Sequence, residues 1–375
     1  MTDSSGGWRG AGGIAALGGI LVLVAGAIDA PALYVPGLVL LLLGGGAVLW
    51  VHAAARGVRV RRRLGAQRVV EDEPLLVEVE IRAGRFAPPC GELRDPLLSA
   101  PAALDAGRRH TRVRIRARFA RRGLRELAPP EVVVRDPLGL ASVPVPARGA
   151  AEQVLVLPRI EPVVAPPASG DGALAGSRSP ALTAEVDLDG IRPHRPGTPA
   201  SRIAWLVYAR SGDLHDRVLK TDADVRPLVV LDLRGTAVES EIDAAVRAAG
   251  SLCVHLARRG GCALLLPGER TPYVVDERLR GWPVAHARLA LAQGAQAPAL
   301  SALGARRGAL IWVAARALAE PPRGLGRRTG VVRMLVVPGS IPGRRPSFTV
   351  AGCSGYALGR TRQPARGRAA GGEPA

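Results

Sequence analysis

The sequence predicts a chain of three structured parts: a transmembrane α-helical hairpin, an all-β sandwich-like domain and an α/β domain. Three successive hydrophobic patterns predict this order. Two long uncharged apolar runs come first, short runs that alternate apolar and polar residues follow, and apolar strands separated by helical periodicity come last. A chain of 375 residues is long enough for two domains with attached segments.

The N-terminal part, residues 1–64, contains two apolar runs, at 11–28 and 37–55. A transmembrane helix needs ~20 apolar residues, and both runs approach that length. A cleaved signal peptide is the alternative for the first run, but no cluster of positive charge precedes it and a second span follows almost at once. Tyr34 and Trp50 stand near span ends, as interfacial aromatic residues do. The pattern therefore favours a two-helix membrane hairpin.

Basic residues directly after the second span predict the orientation of the hairpin. They are Arg56, Arg59, Arg61, Arg62 and Arg63. The positive-inside rule places such a cluster in the cytoplasm, so both termini are expected there and Asp29 in the short outer loop. The sequence therefore predicts a two-pass protein of the plasma membrane, with a basic juxtamembrane segment that can also contact anionic lipid headgroups.

Residues 65–160 carry the alternating pattern, most clearly at 76–81 and 112–119. Strict alternation predicts half-buried antiparallel strands, and the Pro- and Gly-rich gaps between the runs suit turns. A small β-sandwich-like domain is the natural product of such strands. The arginines at 112–118 lie on one face of their strand, which we interpret as a solvated outer face rather than a binding stripe.

A Pro-, Ala-, Gly- and Ser-rich stretch at 161–185 predicts a flexible linker, and the α/β domain is expected at 186–355. Within it, apolar strand-like runs such as 227–232 alternate with helical periodicity, most clearly at 239–258. This alternation predicts a largely parallel sheet that is covered on both faces. The basic tail, 356–375, is predicted to be disordered.

An arginine-rich segment, residues 187–216, opens the α/β domain. Its candidate partner- or anion-binding residues are Arg192, Arg195, Gly197, Arg202, Trp205 and Arg210. A Pro196-Gly197 turn should aim the flanking arginines, whose planar guanidinium groups suit the carboxylates of a partner or a phosphate. The alternative interpretation is architectural: Trp205 is buried between the two domains and most of the arginines pair with nearby aspartates. Arg195, at the turn, is the arginine that both interpretations leave for a partner.

The residue order of this segment resembles the signature of the domain of unknown function 58 family. The similar residues are Arg-Pro-His-Arg-Pro-Gly at 192–197, then Arg202-Ile203-Ala204-Trp205, then Ala209-Arg210. Further landmarks of the family resemble Arg121-Arg122-Gly123 and residues 135–140 and 154–158, in the same order. This chain departs from the family's pattern at His194, where Tyr is usual, and at Thr198, where Asp is usual.

The resemblance has three implications for fold and partners. It implies that the α/β domain is a von Willebrand factor A-like domain. It implies a MoxR-type AAA+ ATPase as the usual companion, and transglutaminase-like membrane proteins are often found near members of this family.

Asp232, Arg234 and Thr236 occupy the positions at which von Willebrand factor A-like domains often carry an Asp-x-Ser-x-Ser motif for Mg²⁺. A guanidinium cannot ligate a cation and repels one, so Arg234 argues against a metal site and against a Mg²⁺ cofactor. The later strand end at 313–316 also lacks an acid. We expect Asp232 to pair with Arg234 or with an arginine of the arginine-rich segment, or to cap the following helix.

Other catalytic patterns are missing from the sequence. The serines and histidines show no nucleophile-elbow or H-E-x-x-H spacing, and no glycine-rich run ends in Gly-Lys-Ser/Thr. The four cysteines show no C-x-x-C spacing, which favours isolated thiols in a reducing compartment. The sequence therefore predicts no enzyme and no cofactor.

The formal net charge of +19 is carried almost wholly by arginine, since Lys220 is the only lysine. A basic surface for nucleic acid or anionic lipid is one interpretation, and a GC-rich coding bias is the other. No nucleic-acid-binding motif accompanies the charge, and aromatic residues that could stack on bases make up 3% of the chain. Nucleic acid is therefore not an expected partner.

Two classes of function are compatible with these patterns. The first is a membrane-anchored, cytoplasm-facing adaptor or assembly protein that acts with a MoxR-type ATPase, in maturation of protein complexes or the cell envelope. The second is a divalent-metal- or anion-dependent enzyme or sensor that uses the crevice at the strand end near Asp232.

Overall fold

The computed structural model describes residues 6–88, 90–165, 188–194, 203–219, 226–235, 238–294, 296–299, 308–318 and 333–358. The chain divides into two compact units, Met1–Leu157 and Pro158–Ala375. The first unit contains two apolar helices and ten strands, and the second contains the larger sheet. Of the predicted segments, the linker at 166–185 and the tail from 359 lie outside the described residues.

Helices α1 (Gly6–Ala27) and α2 (Tyr34–Ala55) form the predicted apolar pair, joined through a short 3-10 helix at Pro31–Leu33. Both are long and apolar enough to cross a membrane. Glycine lets the two backbones approach closely: a Cβ at Gly18 would clash with the backbone of Leu41. Small residues at such crossings are typical of membrane helices.

The apolar side chains of this pair face outward along most of its length. Leu23 and Val35, for example, are 74% and 68% exposed. Exposed apolar surface of this extent needs a cover other than water, and a lipid bilayer supplies one. The pair thus indicates a membrane anchor.

The rest of the first unit is a three-sheet β layer around one hydrophobic core. Its strands are β1 (Arg59–Leu64), β2 (Arg68–Val70), β3 (Leu75–Arg82), β4 (Cys90–Arg94), β5 (Ala102–Leu104), β6 (His110–Ala117), β7 (Gly123–Leu127), β8 (Glu131–Arg135), β9 (Ser142–Pro146) and β10 (Glu152–Leu157). The sheet orders are β1-β3-β6, β2-β10-β7 and β5-β4-β8-β9. The pairings are antiparallel except for β2 with β10, as alternation predicts.

The β layer begins earlier than the sequence pattern indicates, because residues 59–64 form strand β1 rather than a separate juxtamembrane segment. The helix ends also belong to its core: Ala11 of α1 and Val51 and Ala54 of α2 are fully buried within it. Ala11 donates its backbone N–H to the carbonyl oxygen of Leu140 at 3.1 Å. The helical pair and the β layer therefore form one folded unit.

Arg62, a member of the predicted basic cluster, is buried in the structure: its side chain is only 2% exposed. Its Nε donates to Glu152 Oε2 at 2.7 Å and its Nη1 to Asp95 Oδ2 at 3.3 Å. The same guanidinium donates to the carbonyl oxygens of Leu127 and Ala128 at 3.0 and 2.9 Å.

These partners belong to different sheets. Arg62 lies on β1, Glu152 on β10, and Asp95 directly after β4. One guanidinium therefore joins the three sheets, and the prediction that Arg62 belongs to a basic segment at the membrane surface is wrong. Arg56, Arg59, Arg61 and Arg63, the other members of the cluster, are exposed.

The second unit contains a hairpin-like pair, β11 (Leu188–Pro193) with β12 (His215–Leu219), and the short helix α3 (Trp205–Ser211). Its main sheet has seven strands in the order β15-β14-β13-β16-β17-β19-β18. These strands are β13 (Leu228–Asp232), β14 (Cys262–Leu265), β15 (Tyr273–Val275), β16 (Leu310–Ala314), β17 (Arg333–Pro338), β18 (Phe348–Val350) and β19 (Cys353–Ala357).

The four central strands of this sheet are parallel, and the outer strands β15, β19 and β18 add antiparallel edges. Helices α4 (Glu239–Ala257) and α5 (Trp282–Leu291) pack on one face, in a core with Val229, Leu231 and Ile311. The opposite face carries a second buried cluster around Trp312, which contains no residue of a described helix. The α/β prediction is thus confirmed for the parallel centre, and helical cover is described for one face.

Replacement of Arg62 by alanine should strongly destabilise the first unit. The Asp95 side chain is fully buried and would lose its cationic partner, and such a loss typically costs ~3–5 kcal/mol. Thermal unfolding of the full chain in detergent measures the effect. The matched control is Arg61→Ala, an exposed neighbour on the same strand, which should stay within about 0.5 kcal/mol of the wild type. Equal melting temperatures for the two variants would contradict the role of Arg62.

Glu80 should make this unit sensitive to acid. Arg82 and His110 donate hydrogen bonds to its Oε1 at 2.7 and 2.8 Å, and they lower the pKa of Glu80 from 4.5 to about 2. A lowered pKa in the folded state stabilises the fold above pH 4.5, and this contribution is lost as the pH falls towards 2. In thermal melts across that interval, Glu80→Gln should have a flatter pH dependence than the wild type. Parallel profiles would refute the assignment.

Candidate functional site

The carboxyl ends of β13 and β16 form the candidate site of the second unit. β14 follows β13 on one side, and the chain then crosses back over the sheet so that β16 lies on the other side of β13. In open α/β sheets, ligands bind at such a switch point, outside the carboxyl ends of the strands. Asp232 is the last residue of β13 and is paired with Ala314 of β16.

The carboxylate of Asp232 is occupied by the neighbouring guanidinium. Arg234 donates from Nε to Oδ1 and from Nη2 to Oδ2, each at 2.9 Å, and its backbone N–H also donates to Oδ1 at 3.2 Å. Asp232 is 5% exposed, whereas the Arg234 side chain is 47% exposed. The hydrogen bond from Arg234 to the carboxylate raises the pKa of Arg234 above its ordinary value. Of the three roles expected for Asp232 (pairing with Arg234, pairing with an arginine of the arginine-rich segment, or capping the following helix), the structure shows the pairing with Arg234.

A second guanidinium lies beside this pair. Gly235 has a φ of +81°, which favours glycine, and a Cβ there would lie 2.5 Å from Nη1 of Arg316, so the Arg316 guanidinium lies directly against this turn. The backbone N–H of Ala315 donates to the carbonyl oxygen of Asp232 at 2.9 Å, which holds the end of β16 against the end of β13. Arg316 is exposed, so its guanidinium is accessible to solvent at this edge.

The chemistry of this edge suits an anion better than a cation. Both carboxylate oxygens of Asp232 accept hydrogen bonds from Arg234, and Arg316 adds a second positive charge nearby. Among the described residues, no group of three or more His, Cys, Asp or Glu side chains could hold a metal ion. Thr236, the third position of the compared motif, lies outside the described residues.

The structure describes only part of the arginine-rich segment. Arg195, Gly197 and Arg202 lie outside the described residues. The backbone of Arg192 is part of β11 and pairs with Asp216 of β12. The pairing of β11 with β12 shows that this segment folds as a small two-stranded element beside α3.

The expected burial of Trp205 is wrong. Trp205 is 53% exposed and begins α3, a helix of seven residues with no buried side chain. Its ring meets the ring of Tyr208 edge-on, with centroids 6.2 Å apart and planes at 87°. Within this short helix Trp205 packs only against Tyr208 on the next turn, whereas the sequence interpretation assumed burial between two domains.

The same helix exposes apolar residues beyond the candidate residues Trp205 and Arg210 that the sequence indicated. Besides Trp205 and Tyr208, Leu206 is 66% exposed and Leu214, after the helix, is 40% exposed. Arg210 is exposed on the last turn. We call these five residues the α3 patch. The signal in the sequence was the run Trp-Leu-Val-Tyr, which is apolar on every side of a helix and so cannot be buried by one face alone.

Comparison with known proteins adds no family to this description: no family model matches the chain, and no curated protein matches it.

Mg²⁺ and Mn²⁺ should not stabilise the protein, because Arg234 holds both oxygens of the Asp232 carboxylate. A metal that binds only the folded state raises the melting temperature by mass action, so thermal melts of the full chain test this directly. Arg234→Ser, which frees the carboxylate, is the comparison variant. A saturable increase in the wild type at sub-millimolar metal, abolished in Asp232→Ala, would contradict the prediction.

Proposed function

We propose that the protein is a membrane-anchored adaptor that faces the cytoplasm and docks a MoxR-type AAA+ ATPase through the α3 patch. In this proposal the chain is a two-pass protein of the plasma membrane with both termini in the cytoplasm. The second unit is a von Willebrand factor A-like domain. The work of the adaptor is maturation of protein complexes or the cell envelope, with a transglutaminase-like membrane protein as a further partner.

The exposed α3 patch is the observation that carries this proposal. Trp205 and Tyr208 are 53% and 43% exposed, and Arg210 is exposed on the last turn of the same helix. Trp, Tyr and Arg are the residues most enriched at the energetic centres of protein–protein interfaces. An exposed cluster of this kind is costly in water and is typical of a surface that a partner covers.

The identity of the partner comes from the resemblance to the domain of unknown function 58 family, which rests on the residues of the arginine-rich segment. The patch lies within the part of the chain that carries the resemblance. An adaptor needs a docking surface and no catalytic group, and the pairing of Asp232 with Arg234 agrees with this requirement. The exposed arginines that follow α2 support the cytoplasmic orientation.

Trp205→Ala should weaken capture of a co-encoded AAA+ ATPase by at least about tenfold, since truncation of an aromatic residue at the centre of an interface typically costs ~2 kcal/mol or more. The melting temperature should barely change, because substitutions of exposed residues stay within about 0.5 kcal/mol. Pull-down and thermal melts of the full chain give both readouts.

Val284→Ala is the matched control for this experiment. Val284 is 58% exposed on α5 of the same unit, and its truncation should leave capture unchanged. Normal capture by the Trp205 variant would overturn the docking surface. A large loss of stability in that variant would show instead that Trp205 is needed for folding.

A second candidate function has a specific observation in its favour: an anion sensor at the switch point. Arg316 and Arg234 place two guanidinium groups at the carboxyl edge, and arginine binds phosphate and carboxylate bidentately. Inorganic phosphate should then raise the melting temperature of the full chain, and Arg316→Gln should abolish the increase. No phosphate-dependent increase in the wild type would reject this candidate.

A further inference from the structure

The helix ends of the first unit are surrounded by loops of its β layer. The ring of Phe86, in the loop at 83–88, lies 6.3 Å from the ring of Trp50 on α2, measured between centroids. On the other side, Ala11 near the start of α1 donates its N–H to Leu140, in the turn at 136–141. Two loops therefore flank the point where the helical pair leaves the β layer.

A third loop packs beside the first. The backbone N–H of Gly107 donates to the carbonyl oxygen of Pro88 at 3.1 Å, and that of Ala83 donates to Arg109 at 2.8 Å. Gly84 lies so close to the end of α2 that a Cβ there would clash with the carbonyl oxygen of Arg56. The loops at 83–88 and 105–109 thus pack together beside the end of α2, and the loop at 136–141 packs against the start of α1. We call these three loops, with the adjoining helix ends, the collar.

The collar exposes large apolar side chains at the level of the helix ends. Trp50 is 49% exposed, Phe86 is 46% exposed and Leu138 is 65% exposed. The guanidinium of Arg85 lies over the ring of Phe86, 6.0 Å from its centroid. Aromatic residues with nearby cations are the pattern that proteins place at the boundary between lipid headgroups and acyl chains.

The collar is also strongly cationic. Its exposed arginines, including those on the adjoining strand ends, are Arg56, Arg59, Arg82, Arg85, Arg108 and Arg109. Three carboxylates lie in the collar or on its strand ends: Glu80 accepts hydrogen bonds from Arg82 and His110, Asp105 pairs with Arg108 at 3.0 Å, and Asp136 is buried. The arginines outnumber these acids, so an excess of positive charge faces outward.

We propose that the collar binds the headgroups of anionic phospholipids, with Phe86 and Leu138 inserted at the boundary between headgroups and acyl chains. The inference rests on the membrane anchoring that the proposed function includes. Arginine binds phosphate through parallel N–H donors, and an anionic leaflet attracts such a cluster within a Debye length of ~10 Å. The collar then fixes the orientation of the β layer on the membrane, which two helices alone do not.

Covalent continuity favours lipid over nucleic acid or an acidic protein as the occupant. Strand β1 begins at Arg59, four residues after α2 ends at Ala55, and the apolar surface of α2 continues directly into Trp50 and Phe86. Any bilayer that surrounds the helices therefore reaches the collar. A soluble polyanion would leave the exposed apolar side chains of the collar in water.

Hydrogen exchange of the full chain in nanodiscs tests this inference. The probes are discs of phosphatidylcholine alone and discs with about a third phosphatidylglycerol, which carries the anionic surface potential. We expect amides at 83–88 and 105–109 to exchange about tenfold more slowly in the anionic discs, since several arginines are attracted at once. Salt at about 0.5 M should largely remove the difference, because it screens exposed charges.

Two charge-matched triple variants separate the collar from the general basicity of the chain. Arg85→Gln, Arg108→Gln and Arg109→Gln together should abolish the lipid-dependent protection. The control variant neutralises three exposed arginines at the opposite end of the β1-β3-β6 sheet, namely Arg63, Arg114 and Arg116. It removes the same charge and should keep the protection.

Equal exchange in the two kinds of disc, or equal loss in the two variants, would overturn the inference. Protection by polyglutamate or RNA added to phosphatidylcholine discs, without protection by phosphatidylglycerol, would show that lipid is the wrong occupant. Alkaline carbonate extraction distinguishes failure of the anchor itself: a chain that resists extraction but lacks lipid-dependent protection refutes the collar alone. A chain released by carbonate refutes the anchoring and the collar with it.

Discussion

The buried guanidinium of Arg62 is the constraint on which the first unit depends. Arg62 lies on β1, the strand that follows α2, and its carboxylate partners lie on β10 and directly after β4, so its contacts join all three sheets. A charge buried in this way is costly unless every donor finds an acceptor, and here carboxylates and carbonyl oxygens supply them. The requirement specifies one arrangement of sheets, and through β1 it ties that arrangement to the apolar helices.

Local periodicity predicted most elements, because a strand or helix with one buried face repeats its apolar residues at a fixed spacing. The expected runs at 76–81 and 239–258 correspond to β3 (Leu75–Arg82) and α4 (Glu239–Ala257). The burial of Arg62 could not be predicted from local periodicity, because it depends on acids 33 and 90 residues away in sequence. One signal was available: Arg-Asp-Pro-Leu occurs at 94–97 and again at 135–138, and in each copy the Asp is buried and accepts backbone N–H groups.

The residues of the candidate sites also divide into those that local sequence predicts and those whose contacts depend on distant parts of the chain. The pairing of Asp232 with Arg234 could be predicted, since residues two positions apart at the end of a strand can reach each other without any long-range contact. Arg316 could not, because only the parallel pairing of β13 with β16 brings it to Gly235. Trp205 was misjudged for a different reason: a large aromatic residue is buried on average, and an interface that a partner covers is the common exception.

In the proposed function, lipid covers the helices and the collar, and a protein partner covers the α3 patch. This function requires that the helices hold the β layer at the cytoplasmic face of the membrane. Labelling of intact cells with a membrane-impermeant maleimide tests this most directly, with cysteine placed at Asp29 between the helices or at exposed Ser99 in the β layer. The account predicts that Asp29→Cys is labelled in intact cells and Ser99→Cys only after permeabilisation. Labelling of Ser99→Cys in intact cells would contradict it.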